Sequence, residues 1–118
     1  MKTPRQSTID ILNRLIAFDT TSRYSNLELI DWVVDFLAQR GVECQLLHDE
    51  SGEKANLWAT IGPKDVPGIM LSGHSDVVPV DGQDWSTDPL AMVEKDGKLF
   101  GRGTADMKGF IAICLSHV

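Results

Sequence analysis

Apolar positions spaced three and four apart mark two helices in the first forty residues. In "STIDILNRLIAF", Ile9, Leu12, Leu15 and Ile16 share one face, the stripe that a surface helix turns toward its core, and Ser7 is the expected cap. "DTTSRY" then reads as a loop. In the second run Ser25 and Glu28 form a capping-box pattern, and Leu29, Ile30, Val33, Val34 and Leu37 continue one stripe until Gly41 stops it. After Gly41 the period shortens. "VECQLLH" and "ANLWATIG" read as strands on either side of a turn, "DESGEK". "GIMLSGH" is a short apolar run between turn signals, the pattern of a strand buried on both faces. "LAMVEKDGKLFGRG" sets Asp96-Gly97 between two alternating runs, a hairpin signal. The last run, "MKGFIAICLSHV", is a further helix. This order of elements predicts an α/β fold with a mixed sheet, and there is no internal repeat or low-complexity tract.

A chain of 118 residues can close one core but not two. Its final apolar run stops at Val118 with no glycine, proline or basic last turn, so the chain reads as the N-terminal part of a larger protein. Hydrophobic residues at 42% and charged residues at 24% place it among ordinary globular proteins. A net charge of -6 argues against nucleic acid and anionic membrane as partners, because both require a basic face. No apolar run approaches the roughly 18 residues of a membrane span, and "MKTPRQSTID" lacks the apolar core of a signal peptide. A cytoplasmic location is the expectation. Cys44 and Cys114 sit in apolar surroundings, which fits buried, reduced thiols and not a disulfide framework.

Two polar clusters interrupt these runs. His74 and Asp76 close the "GIMLSGHSD" stretch two residues apart, so in extended chain they stand on the same side. Imidazole is a good zinc ligand, and a carboxylate on its other nitrogen would fix its tautomer and raise its basicity. The plain alternative is a solvated strand end. "GRGTADMKG" leaves the hairpin through Gly101 and Gly103 and puts Asp106 at the start of the last helix, where a carboxylate also serves as a cap. Two other motifs fail on inspection. "GRGTAD" has Asp where a dinucleotide fold needs its third glycine, and "GHSDV" has Val77 where a nucleophile elbow needs glycine. No organic cofactor is therefore implied.

Taken together, "GHSDVVP", "WSTDPL" and "DGKLFGRGTADMKG" resemble the dizinc aminoacylase and carboxypeptidase family, with further likeness in "FDTTSRYSN" and "ANLWATIGP". The resemblance implies a three-layer α/β sandwich with a mixed sheet, of which residues 1–118 form the N-terminal part of the catalytic domain. It implies a metal-dependent amidohydrolase using two Zn2+, or Co2+, per complete site. His74 would bind one metal, Asp106 would bridge both, and Asp76 would act in catalysis by orienting His74. It also implies a cis peptide bond at Asp106–Met107. The remaining ligands, the general base and a smaller lid and dimerisation domain would lie beyond these residues, making this part inactive alone. The substrate would be a small N-acyl amino acid or dipeptide and the whole protein a homodimer; a binding module that kept the fold without the chemistry is the rival. His74 must be neutral to coordinate, so metal affinity should fall on acidification.

Other residues carry plainer expectations. Trp32 reads as packing, Trp58 as a strand core residue, and Trp85 as a pin for the loop after Pro79. His48 and His117 belong to no motif, and Lys108, which follows Asp106 and could support that site, reads first as a solvated helix lysine.

Overall fold

Ile11, Leu12, Leu15 and Ile16 bury one face of the first helix, α1 (Gln6–Ala17), in the computed structural model, which describes residues 4–118. The helix opens at Arg5 with no side-chain cap, so Ser7 lies inside the first turn. A second helix, α2 (Leu27–Ala38), buries Leu29, Ile30, Val33 and Leu37. Its start differs from a capping box. Ser25 Oγ does accept the Leu27 N–H at 3.2 Å, but the capping position is Asn26. The Asn26 amide instead clamps Ala55, donating to its carbonyl at 3.0 Å and accepting its N–H at 3.0 Å. At the far end Gly41 takes φ +73° and Val42 N–H reaches back to Leu37 O at 3.0 Å, so a left-handed glycine ends the helix as expected.

Four short strands follow: β1 (Cys44–His48), β2 (Ala55–Ala59), β3 (Val93–Lys95) and β4 (Lys98–Phe100). β1 and β2 pair antiparallel from Cys44↔Ala59 to His48↔Ala55, and β3 and β4 pair from Val93↔Phe100 to Lys95↔Lys98. Asp96 at φ 52° and Gly97 at φ 71° are both left-handed, the requirement of a tight turn matching strand twist. The last helix, α3 (Lys108–Leu115), packs on α1, while α2 covers β1 and β2. The core joins these layers through Leu15, Ile16, Leu29, Leu37, Ala55 and Ala112.

The α/β class holds, with departures in detail. "GIMLSGH" forms no strand, and Ile69, Met70 and Leu71 are 92%, 68% and 64% exposed. The apolar run is real, but a strand needs a neighbour to take its N–H and C=O groups, and among the described residues none does so for 68–74. The two strand pairs form separate antiparallel sheets rather than one mixed sheet, and parallel pairing among the described residues is limited to an isolated bridge, Thr21↔Val77. Trp58 is also a correction. Alternation along β2 turns Leu57 inward and leaves Trp58 55% exposed. Trp32 packs between Phe18 and Phe36 as expected. Cys44 and Cys114 are free and half-buried, and burial raises the pKa of both thiols.

Candidate metal centre

His74 and Asp76 leave the exposed run together. Val77 ends it, buried and bridged to the loop after α1, with Val77 N–H donating to Thr20 O and Ser22 N–H donating to Val77 O, each at 3.0 Å. That anchor keeps the His74 ring over the Asp76 backbone. His74 Nδ1 lies 3.0 Å from Asp76 O and 3.1 Å from Asp76 Oδ1. The expected orienting contact is present.

Asp106 arrives on the segment between β4 and α3. The chain leaves β4 through Gly101 and Gly103, makes tight turns, and passes a cis peptide bond at Asp106–Met107 before α3 begins. Asp106 does not cap the helix. The capping position is Met107, which makes no side-chain bond, and the Asp106 carboxylate points instead at His74, with Oδ1 3.0 Å from Nε2. Glycine is required twice in this turn. A Cβ on Gly109 would stand 2.3 Å from Thr104 O, and one on Gly103, at φ +95°, would stand 2.8 Å from Val77 Cγ1.

The ring's two nitrogens therefore have different neighbours. Nδ1 faces two oxygen acceptors, so in the neutral ring it carries the hydrogen. The lone pair is then on Nε2, aimed at a carboxylate oxygen 3.0 Å away. Two electron pairs so placed require a cation between them, either a proton or a metal ion. Nitrogen and oxygen donors on one tetrahedral zinc stand about 3.3 Å apart, a few tenths of an ångström from the separation here. The donor set thus fits a borderline metal such as zinc. Both side chains are open to solvent, His74 at 50% and Asp106 at 87%, and among the described residues no group of three ligands forms. His74 and Asp106 supply two donors, too few for a closed site. In the protein alone the Asp76 carbonyl first, then the charges of Asp76 and Asp106, hold the imidazole above its ordinary pKa.

The surrounding loop is tied down by groups far apart in sequence. Trp85 does pin the segment after Pro79: its Nε1–H donates to Gln83 Oε1 at 2.9 Å, Arg102 donates to the same oxygen, and the Arg102 guanidinium lies 5.3 Å above the Trp85 ring. Arg23 forks Asp81 at 2.8 and 3.1 Å. His48 and His117 are exposed. Lys108 overturns its expectation. It is fully buried, with Nζ donating to Leu15 O at 2.9 Å and Phe18 O at 2.8 Å. Thr20 is also buried and donates from Oγ1 to Ser75 O at 2.6 Å. Periodicity predicts neither burial: the packing of α3 on α1 encloses Lys108, and the bond to Ser75 identifies Thr20.

Residues 70–118 match the model of Peptidase family M20/M25/M40. The chain is 40% identical over 119 residues to the acetylornithine deacetylase of Pasteurella multocida (strain Pm70), covering 95% of this chain and 31% of that protein. It is 44% identical over 88 residues to the succinyl-diaminopimelate desuccinylase of Legionella pneumophila (strain Lens), covering 74% and 22%. Among solved structures, human carnosine dipeptidase 1 superimposes with a TM-score of 0.76 at 25% identity, covering 92% of this chain and 26% of that one. The chain thus spans about a third or less of the length of these relatives. Residues 70–118 thus match peptidase family M20/M25/M40, and across nearly its whole length the chain is similar to acetylornithine deacetylase.

Proposed function

We propose that this chain forms the N-terminal part of a metal-dependent amidohydrolase that cleaves N-acetyl-L-ornithine to L-ornithine and acetate in arginine biosynthesis. The observation that carries the reading is the convergence of His74 Nε2 and Asp106 Oδ1 at 3.0 Å across 32 positions of sequence. In this reading His74 and Asp106 would hold Zn2+ or Co2+, and Asp106 would be the shared ligand. A bound divalent ion supplies Lewis acidity, polarising the scissile carbonyl and acidifying the attacking water. Asp76 keeps the hydrogen on Nδ1 so that Nε2 presents its lone pair, and the open approach over both side chains leaves room for a small N-acyl amino acid. The remaining ligands and the general base come from chain beyond these residues, as do the contacts of a homodimer.

A desuccinylase acting on an N-succinyl amino acid is the second reading, favoured by the 44% identity to the Legionella relative. One experiment separates them. Purified full-length protein with Zn2+ or Co2+ is given N-acetyl-L-ornithine and N-succinyl-diaminopimelate, and amine release is measured for each. Faster turnover of the acetyl substrate is expected. Turnover of neither substrate, or full activity with metal content unchanged in His74→Ala and Asp106→Asn, would overturn the reading.

A further inference from the structure

His74 and Asp106 stand on two segments that lack regular pairing, yet their donor atoms lie 3.0 Å apart. Something must set that distance. Burial holds neither donor, since the His74 side chain is 50% and the Asp106 side chain 87% exposed. The buried bonds lie one step behind them, and both sets converge on the end of α1 and the loop that follows it.

On the His74 side, Thr20 Oγ1–H donates at 2.6 Å to the carbonyl of Ser75, the residue between His74 and Asp76. The Thr20 and Ser22 backbones then grip Val77. On the Asp106 side, Lys108 Nζ donates to Leu15 O and Phe18 O, carbonyls at the C-terminal end of α1, where a cation is favoured. Its backbone N–H donates to Gly103 O at 2.8 Å, closing the turn that contains Asp106. The two sides also touch. The space beside Gly103 is filled by Val77 Cγ1 and by Lys108 Cδ. Thr20 is 2% exposed, Val77 3% and Lys108 0%.

A lysine is rarely buried to this degree, because its ammonium must give up water. If the position served packing alone, an unbranched apolar side chain such as methionine would fill it without that penalty. The two carbonyl bonds are what the lysine adds, and they tie the residue two places after Asp106 to Leu15–Ser22, the stretch that also holds Ser75 and Val77. We propose that Lys108 and Thr20 are positioning residues, one for each half of the centre, which hold Asp106 and His74 in register through Leu15–Ser22. This rests on the reading of His74 and Asp106 as metal ligands.

The test uses the full-length protein and Co2+ as the probe, with affinity read by calorimetric titration and ligand geometry by visible absorption. Lys108→Met and Thr20→Val keep side-chain size while deleting the bonds. Each should weaken Co2+ binding about 10- to 100-fold, the range for groups that orient a ligand, and shift the absorption bands. Leu115→Val, a core change in the same helix away from the centre, should leave both readouts unchanged even where it lowers thermal stability. Wild-type affinity and spectrum in a folded Lys108→Met or Thr20→Val, or an equal loss in Leu115→Val, would overturn the proposal. Should Lys108→Met fail to fold, Thr20→Val decides alone. Loss of binding in His74→Ala and Asp106→Asn without loss in the two positioning variants would sink the positioning role only; binding intact in His74→Ala and Asp106→Asn would sink the metal centre itself and the proposal with it.

Discussion

Asp76 meets the His74 ring twice at one atom, with its backbone oxygen 3.0 Å and its carboxylate Oδ1 3.1 Å from Nδ1. The backbone contact survives any substitution at position 76, so the tautomer has two guards. Asp76→Ala should therefore leave the fold intact and cost toward the lower end of the 10–100-fold range in metal affinity or activity. Circular dichroism beside a zinc titration measures both; unchanged affinity would show that the carbonyl suffices.

The pH dependence of metal binding follows from the same ring. His74 has its pKa raised above 6.5 by the Asp76 carbonyl and the two carboxylates, and only the neutral ring can coordinate. Metal affinity should then start to fall at a higher pH than for a free imidazole. In metal-free protein the sign is opposite: protonated His74 stabilises the fold below pH 6.5, and that contribution is lost as pH rises through its raised pKa. Zn2+ titrations from about pH 8 to about pH 5 check the first statement, with affinity flat until well below pH 6.5 as the contrary result.

Lys108 predicts a second pH effect, in stability. Burial lowers its pKa from 10.5 to about 8, with the charge of Asp19 acting the other way. Between those values the unfolded chain binds the extra proton, so stability should rise with pH across this window and be lost again as pH falls through about 8. Urea unfolding of wild type and Lys108→Met across the window reads the difference. A slope that persists in Lys108→Met would assign it to another group.

Gly109 tests the turn itself. An added Cβ would lie 2.3 Å from the Thr104 carbonyl oxygen, backbone that cannot swing aside as a side chain would. Gly109→Ala should destabilise by about 1–3 kcal/mol and weaken metal binding by moving Asp106. Unfolding midpoints and a Co2+ spectrum report the two effects separately; a stable variant with an unaltered spectrum would mean that the turn relaxes freely.

Local chemistry was readable wherever neighbours in sequence decide the structure. The stripe of Leu12, Leu15 and Ile16 defines the buried face of α1, Gly41 ends α2 because only a left-handed residue can turn there, and Asp96-Gly97 closes its hairpin. Resemblance to a family carried the cis bond at Asp106–Met107 and the pairing of Asp76 with His74, both present in the structure. What depends on distant partners could not be read in this way. "GIMLSGH" has a strand's composition but no strand beside it to take its hydrogen bonds, and Trp58 follows the pleat outward. Lys108 has the sequence context of a surface lysine and becomes the most deeply buried polar side chain among the described residues, because α3 crosses the end of α1 where the Leu15 and Phe18 carbonyls accept its ammonium. The 3.0 Å between His74 and Asp106 is likewise a product of tertiary structure: sequence supplies two donors 32 positions apart, and the packing of α3 and Val77 against Leu15–Ser22 brings them together.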